Sequence, residues 1–131
     1  MKLLLDTNAY TALMRGDASV AHQTRKAEAV VMSAVVVGEL LYGFRHGTRY
    51  RENLRQLDSF LEMPQVEFLP VDRDTADRFG LVAAALRRRG TPIPSNDIWI
   101  AAQALKSGAV LLSHDSHFGA IDGLAFVQPR D

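Results

Sequence analysis

Leu3-Leu4-Leu5-Asp6-Thr7-Asn8 is the stretch that decides the fold. Three leucines are too few for a helix but suit a short buried strand. Asp6, Thr7 and Asn8 carry side chains that satisfy the free N–H groups of a helix start, so a helix is expected through about Arg15, stopping at Gly16. A wholly apolar strand that leads straight into a helix opens a β-α unit of a parallel sheet. Strand-type and helix-type runs then continue to alternate. A short helix is expected over 18–26, a strand over 30–32, and a helix capped by Ser33 reaching about Phe44. Tyr50, Leu54, Leu57 and Leu61 recur at helical spacing, and 66–71 reads as a third strand. Asp72 caps a long helix that Arg87-Arg88-Arg89 and Gly90 close, the three cations suiting its negative end. A helix from Ser95 or Asn96 to Lys106, a strand over 109–112, a turn-rich segment over 113–119 and an edge strand over 125–127 complete the pattern. The expected architecture is a three-layer α/β/α domain with a short, mainly parallel central sheet.

The chain has 131 residues, 47% of them apolar and 23% charged, which suits one globular domain spanning 1–131. It has no cysteine, which excludes disulfide scaffolds, zinc-thiolate sites and thiol nucleophiles. Fifteen basic residues balance fifteen acidic ones, which argues against coating nucleic acid through bulk charge. The apolar run at the start breaks at Asp6, and the longest apolar stretch, over 29–38, is about half a membrane span. A cytoplasmic protein without membrane attachment is expected.

In an open parallel sheet, functional groups gather outside the carboxyl ends of the strands. Asp6 follows the first strand and Asp115 follows the fourth. Asp97 opens a helix that runs back antiparallel to the fourth strand, so its beginning lies at the same edge. Each has a plainer reading: Asp6 and Asp97 as helix caps, Asp115 as a turn aspartate. Asp72 is taken as a cap and nothing more. Glu39 resists such a reading, because Val35-Val36-Val37-Gly38-Glu39-Leu40-Leu41 surrounds it with apolar residues. Burying an isolated carboxylate costs several kcal/mol, and no Lys or Arg stands nearby along its helix. A divalent cation shared with the other acids would compensate it. An oxygen-only donor set favours Mg²⁺ or Mn²⁺ over zinc.

Four segments carry a resemblance. Leu4-Leu5-Asp6-Thr7-Asn8, Val37-Gly38-Glu39-Leu40, Asn96-Asp97-Ile98-Trp99-Ile100-Ala101-Ala102 and Ser113-His114-Asp115-Ser116-His117-Phe118 resemble, in order, the signature segments of PIN-domain ribonucleases. The nearest likeness is to the VapC-type toxins of toxin–antitoxin pairs, and it covers essentially the whole chain. It implies a Mg²⁺- or Mn²⁺-dependent endoribonuclease whose catalytic and metal-site residues are Asp6, Glu39, Asp97 and Asp115, with Asp6 and Asp97 touching the metal. Asn8 and Ser113 match supporting polar positions, and Thr7 is a weaker one. His117 stands where some relatives carry a further Asp. The resemblance also implies an RNA substrate, a cognate helical antitoxin in an apolar groove, and a homodimer. A housekeeping RNA-processing nuclease of the same fold remains an alternative, as does a receiver-like Mg²⁺-binding signalling domain. The latter lacks its expected second acid after Asp6 and a late lysine after a strand.

Other residues have structural readings. His114 and His117 are three apart but lack further nitrogen or sulfur ligands, so they read as loop residues. Arg45, His46, Arg49, Arg51 and Arg55 form a solvated helix face or an RNA-backbone grip. Trp99 reads as core. Tyr10, Leu41, Tyr42, Phe44, Leu54, Leu57, Phe60 and Leu61 include candidates for a partner groove. With the four site acids set aside, fifteen basic residues face eleven acidic ones. A neutral total is therefore compatible with an acidic pocket in a basic frame.

Overall fold

Leu3, Leu4 and Leu5 lie at the centre of a five-stranded sheet, each at most 1% exposed. The computed structural model describes residues 1–130. In chain order its elements are β1 (Lys2–Leu5), α1 (Thr7–Met14), α2 (Ala18–Lys26), β2 (Ala29–Ser33), α3 (Ala34–His46), α4 (Tyr50–Leu61), β3 (Val66–Leu69), α5 (Arg73–Arg89), α6 (Ser95–Ser107), β4 (Val110–Leu112) and β5 (Phe126–Val127). A 3₁₀ helix, Ser116–Ala120, lies between β4 and β5. The strand order is β3-β2-β1-β4-β5, and every ladder is parallel. Leu3 pairs with Val30 on one side and Val110 on the other. Central strands flanked this way must be apolar on both faces, which accounts for the unbroken runs Leu3-Leu4-Leu5 and Val30-Val31-Met32. With helices covering the sheet, the three-layer α/β/α expectation holds.

The boundaries follow local chemistry. Ser33 accepts from the Val36 amide (3.0 Å), and Asp72 from the Thr75 amide and hydroxyl (both 2.9 Å), so both act as caps. Gly90 ends α5 at φ 68°, a backbone state that side-chain-bearing residues avoid. The third strand stops at Leu69, two residues short of the expected 66–71, because Pro70 has no N–H to extend the ladder. At α6 neither Ser95 nor Asn96 caps; Pro94 precedes the helix, and no side chain bonds its free amides. Buried Gln103 donates from Nε2 to the carbonyls of Leu69 and Pro70 (3.0 and 3.2 Å), and Lys106 pairs with Asp72. These contacts anchor α6 against the end of β3. Lys106 is thus occupied away from the site acids, unlike the lysine of a receiver domain.

Tyr10, Leu57 and Phe60 are buried in the core, with Tyr10 edge-on to Phe60 at 5.5 Å, so they cannot form an open groove. Burial pushes the Tyr10 phenol up to about 12. Leu41, Phe44, Leu54 and Leu61 are half-buried, and Tyr42 is exposed. Trp99, read as core, is half-buried instead and lies outside the buried core cluster, stacked on Phe79 with centroids 4.1 Å apart. No described helix is long and apolar enough to cross a membrane.

Candidate metal centre at the carboxyl edge of the sheet

Beyond β1 the chain turns to one side of the sheet through β2 and β3, and later returns to the other side at β4. The carboxyl ends of β1 and β4 therefore flank a topological switch point, where ligand sites of open α/β sheets form. Asp6 leaves β1 there and Ser113 leaves β4.

Asp6 is 6% exposed and has two roles. Its Oδ1 accepts from the Ala9 amide at 2.8 Å, so it caps α1, and its Oδ2 accepts the hydroxyl proton of Ser113. The cap reading was correct, but it left the second oxygen free for other work. Fully buried Ser113 also accepts from the Asp115 amide at 3.0 Å, which couples the loop after β4 to the end of β1. Ser113 thus ties Asp6 to the loop after β4. Replacing it by Ala leaves a buried carboxylate and an amide short of a partner, and should cost about 1–3 kcal/mol. Ser113→Thr, which keeps the hydroxyl, should cost less; denaturant unfolding of the two variants checks this.

Glu39 sits on the sixth residue of α3 and is half-buried, less enclosed than its apolar neighbours suggest. The Thr7 hydroxyl donates to one of its oxygens at 2.6 Å and the Asn96 amide to the other at 3.3 Å. Part of the compensation expected from a cation therefore comes from hydrogen bonds. Thr7 thus contacts Glu39 directly, while Asn8 is exposed and makes no side-chain hydrogen bond among the described residues. The amide that reaches Glu39 comes from Asn96. Since α6 needs no cap from Asn96, that side chain is free to cross to α3.

Asp97 lies in the first turn of α6, half-buried and not a cap, which removes its plainer reading. Asp115 precedes the 3₁₀ helix without bonding its amides and is exposed. His117, read from sequence as a loop residue, joins them. Its Nε2 lies 2.9 Å from Asp97 Oδ2 and its Nδ1 3.7 Å from Asp115 Oδ1. The shorter approach is poorly aligned for a ring N–H to donate, so Nε2 is buried without a hydrogen-bond partner. One ligating atom each from Asp97, Asp115 and His117 lies within 4.8 Å of the others, a donor set suited to a cation. Buried Phe118 and Arg89 hold the 3₁₀ helix that carries His117. Arg89 donates to both oxygens of Asp122 at 3.1 Å and to the Ala120 carbonyl, a specific tie beyond helix-end charge complementation.

Asp6 and Glu39 stand outside the group of Asp97, Asp115 and His117, but charge links them to it. Burial pushes the Asp6 carboxyl above its ordinary range; bonds from Ser113 and Ala9 oppose this, and repulsion from Asp115 and Asp97 adds to it. Burial likewise raises Asp97, with His117 opposing and Glu39 and Asp115 adding. Crowded carboxylates with raised proton affinity are the state that a divalent cation relieves.

A family model for the PIN domain matches residues 3–124, and the chain belongs to the PIN-domain family. Within that family it is similar to Ribonuclease VapC1 of Haemophilus influenzae, 30% identical over 119 residues that span 88% of this chain and 87% of that one. It is also similar to the tRNA(fMet)-specific endonuclease VapC of Salmonella typhimurium, 27% identical over 127 residues and 95% of both chains. Among solved structures, VapBC-1 from nontypeable Haemophilus influenzae matches with a TM-score of 0.86 and 29% identity over 98% of each chain. The receiver-like alternative is thereby set aside.

Proposed function

We propose that this chain is a divalent-metal-dependent endoribonuclease and the toxin of a toxin–antitoxin pair, acting in the cytoplasm as one domain over 1–131. The reading is supported by the acidic cluster at the switch point of a PIN-family fold: Asp97 and Asp115 offer ligand atoms within 4.8 Å of one another, Asp6 feels the charge of both, and Asp97 feels that of Glu39. Asp6 and Asp97 would hold the ion, with Glu39 and Asp115 completing the site. Mg²⁺ or Mn²⁺, when bound, supplies Lewis acidity toward a phosphate oxygen and lowers the pKa of water. Ser113 fixes one oxygen of Asp6, and Thr7 with Asn96 fixes both oxygens of Glu39, so these carboxylates are held in set orientations in which they would receive an ion. The carboxylates take the proton of the attacking water. In-line attack at phosphorus breaks its bond to the 3′-oxygen, leaving phosphate on the 5′ side, and the departing oxygen takes up one proton to become a 3′-hydroxyl.

The names of the relatives support RNA as substrate, and one of them points to transfer RNA as the first class to test. The likeness to a VapBC structure supports a cognate antitoxin as partner, and we extend the proposal to a homodimer. Expressing the chain alone and with its neighbouring gene product tests the assignment. Growth arrest relieved by the neighbour, with new RNA ends carrying 5′-phosphate, is the expected result. Indifference to both would favour a housekeeping RNA-processing nuclease.

A further inference from the structure

We infer that His117 gives this centre a nitrogen ligand, and with it a preference for first-row transition ions such as Mn²⁺ over Mg²⁺. The inference rests on the metal-centre reading above and goes beyond its four carboxylates. Its observation is the His117 ring itself: Nε2 is buried, lacks a hydrogen-bond partner and lies 2.9 Å from Asp97 Oδ2.

Nε2 approaches Asp97 without the alignment of a hydrogen bond. A ring nitrogen of His117 and one carboxylate oxygen each from Asp97 and Asp115 fall within 4.8 Å of one another, the spread of ligands around one ion. The other ring nitrogen, Nδ1, faces Asp115 Oδ1 at 3.7 Å, beyond hydrogen-bond range. The ring is also held in place, because its neighbour Phe118 is fully buried and Arg89 ties down the far end of the same 3₁₀ helix.

The ligand chemistry then sets the preference. Mg²⁺ favours hard oxygen donors in a strict octahedron and keeps much of its water. Imidazole nitrogen suits transition ions, whose affinity for mixed nitrogen and oxygen sites rises along the first row. An imidazole in place of a further carboxylate also reduces the negative charge on which Mg²⁺ depends. His117 therefore discriminates between ions that a purely acidic site would accept alike.

Pulsed electron paramagnetic resonance of Mn²⁺ bound to the metal-free protein tests this without any cleavage assay. Wild-type protein should show ¹⁴N modulation characteristic of imidazole, retained in His114→Gln and lost in both His117→Gln and His117→Asp. Calorimetric titration with each ion should show the Mn²⁺-over-Mg²⁺ preference falling by at least about tenfold in His117→Asp. Near-ultraviolet circular dichroism identifies any variant that has lost its fold, and either His117 variant alone suffices for the comparison. Mn²⁺ bound to wild type without an imidazole signal, or an unchanged ion preference in His117→Asp, would overturn the inference while leaving the carboxylate centre standing. Failure of wild type to bind either ion would overturn the metal-centre reading and this inference together.

Discussion

Asp97→Asn should lower RNA cleavage by about 10³-fold or more, since a catalytic metal contributes several kcal/mol and each 1.36 kcal/mol is tenfold. The same substitution should make the metal-free protein more stable. Asp97 is half-buried among Glu39 and Asp115, and burial has already pushed its carboxyl upward. A carboxyl with a raised folded pKa contributes stability that is fully present below its unfolded value of 3.8 and is lost as pH rises through the folded value. At neutral pH the wild-type apo-protein has lost that contribution; the asparagine variant has no such charge to bury. Asp6→Asn should behave alike, with its cap on Ala9 preserved by the amide oxygen. Asp72 slopes the other way. Lys106 first, then Thr75, holds its carboxyl well below the ordinary range, so its contribution disappears as pH falls. The difference between wild-type and Asp97→Asn melting profiles cancels this common slope. Wild type should gain stability on adding Mn²⁺ and the variant should not. A variant that melts lower than wild type at neutral pH without metal would contradict the electrostatic account.

Phe118→Ala should cost about 3–5 kcal/mol, a large share of the roughly 5–15 kcal/mol that holds a domain folded. Phe118 is fully buried, packs against Phe126 of β5 at 6.0 Å between centroids, and is the residue after His117. Its loss removes the apolar anchor of a five-residue 3₁₀ helix whose own backbone bonds are few. His117 and Asp115 would lose their fixed placement with it. Chemical denaturation should therefore show the stability loss, and Mn²⁺ titration of the still-folded variant should show weakened binding. A loss of stability with unchanged ion affinity would mean that the 3₁₀ helix is not what positions His117.

The sheet was legible because central parallel strands must be apolar on both faces, and Leu3-Leu4-Leu5 and Val30-Val31-Met32 satisfy no other assignment as well. The edge positions of Asp6 and Asp115 were legible for the same reason, Asp6 as the first polar residue past β1 and Asp115 as the first carboxylate past β4. Asp97 followed from the antiparallel run of α6, and Glu39 from the absence of any local partner. What sequence did not reveal lies in cross-element contacts. Asn96 was read only as a possible start of α6, yet its amide reaches Glu39 fifty-seven positions earlier. Asn8 matches a supporting position of the family, and the structure leaves it exposed. His117 was the largest omission. A 3₁₀ helix of five residues has no periodicity to read, so nothing along the chain showed that it folds back onto α6. The pairing with His114 was misleading, because the partners of His117 are carboxylates from other segments.

If these carboxylates act through a bound divalent ion, cleavage of a defined RNA by the purified chain depends on that ion. Cleavage should stop in excess chelator and return when Mn²⁺ or Mg²⁺ is restored, with Asp97→Asn inactive throughout. Undiminished cleavage in the chelator would contradict the account.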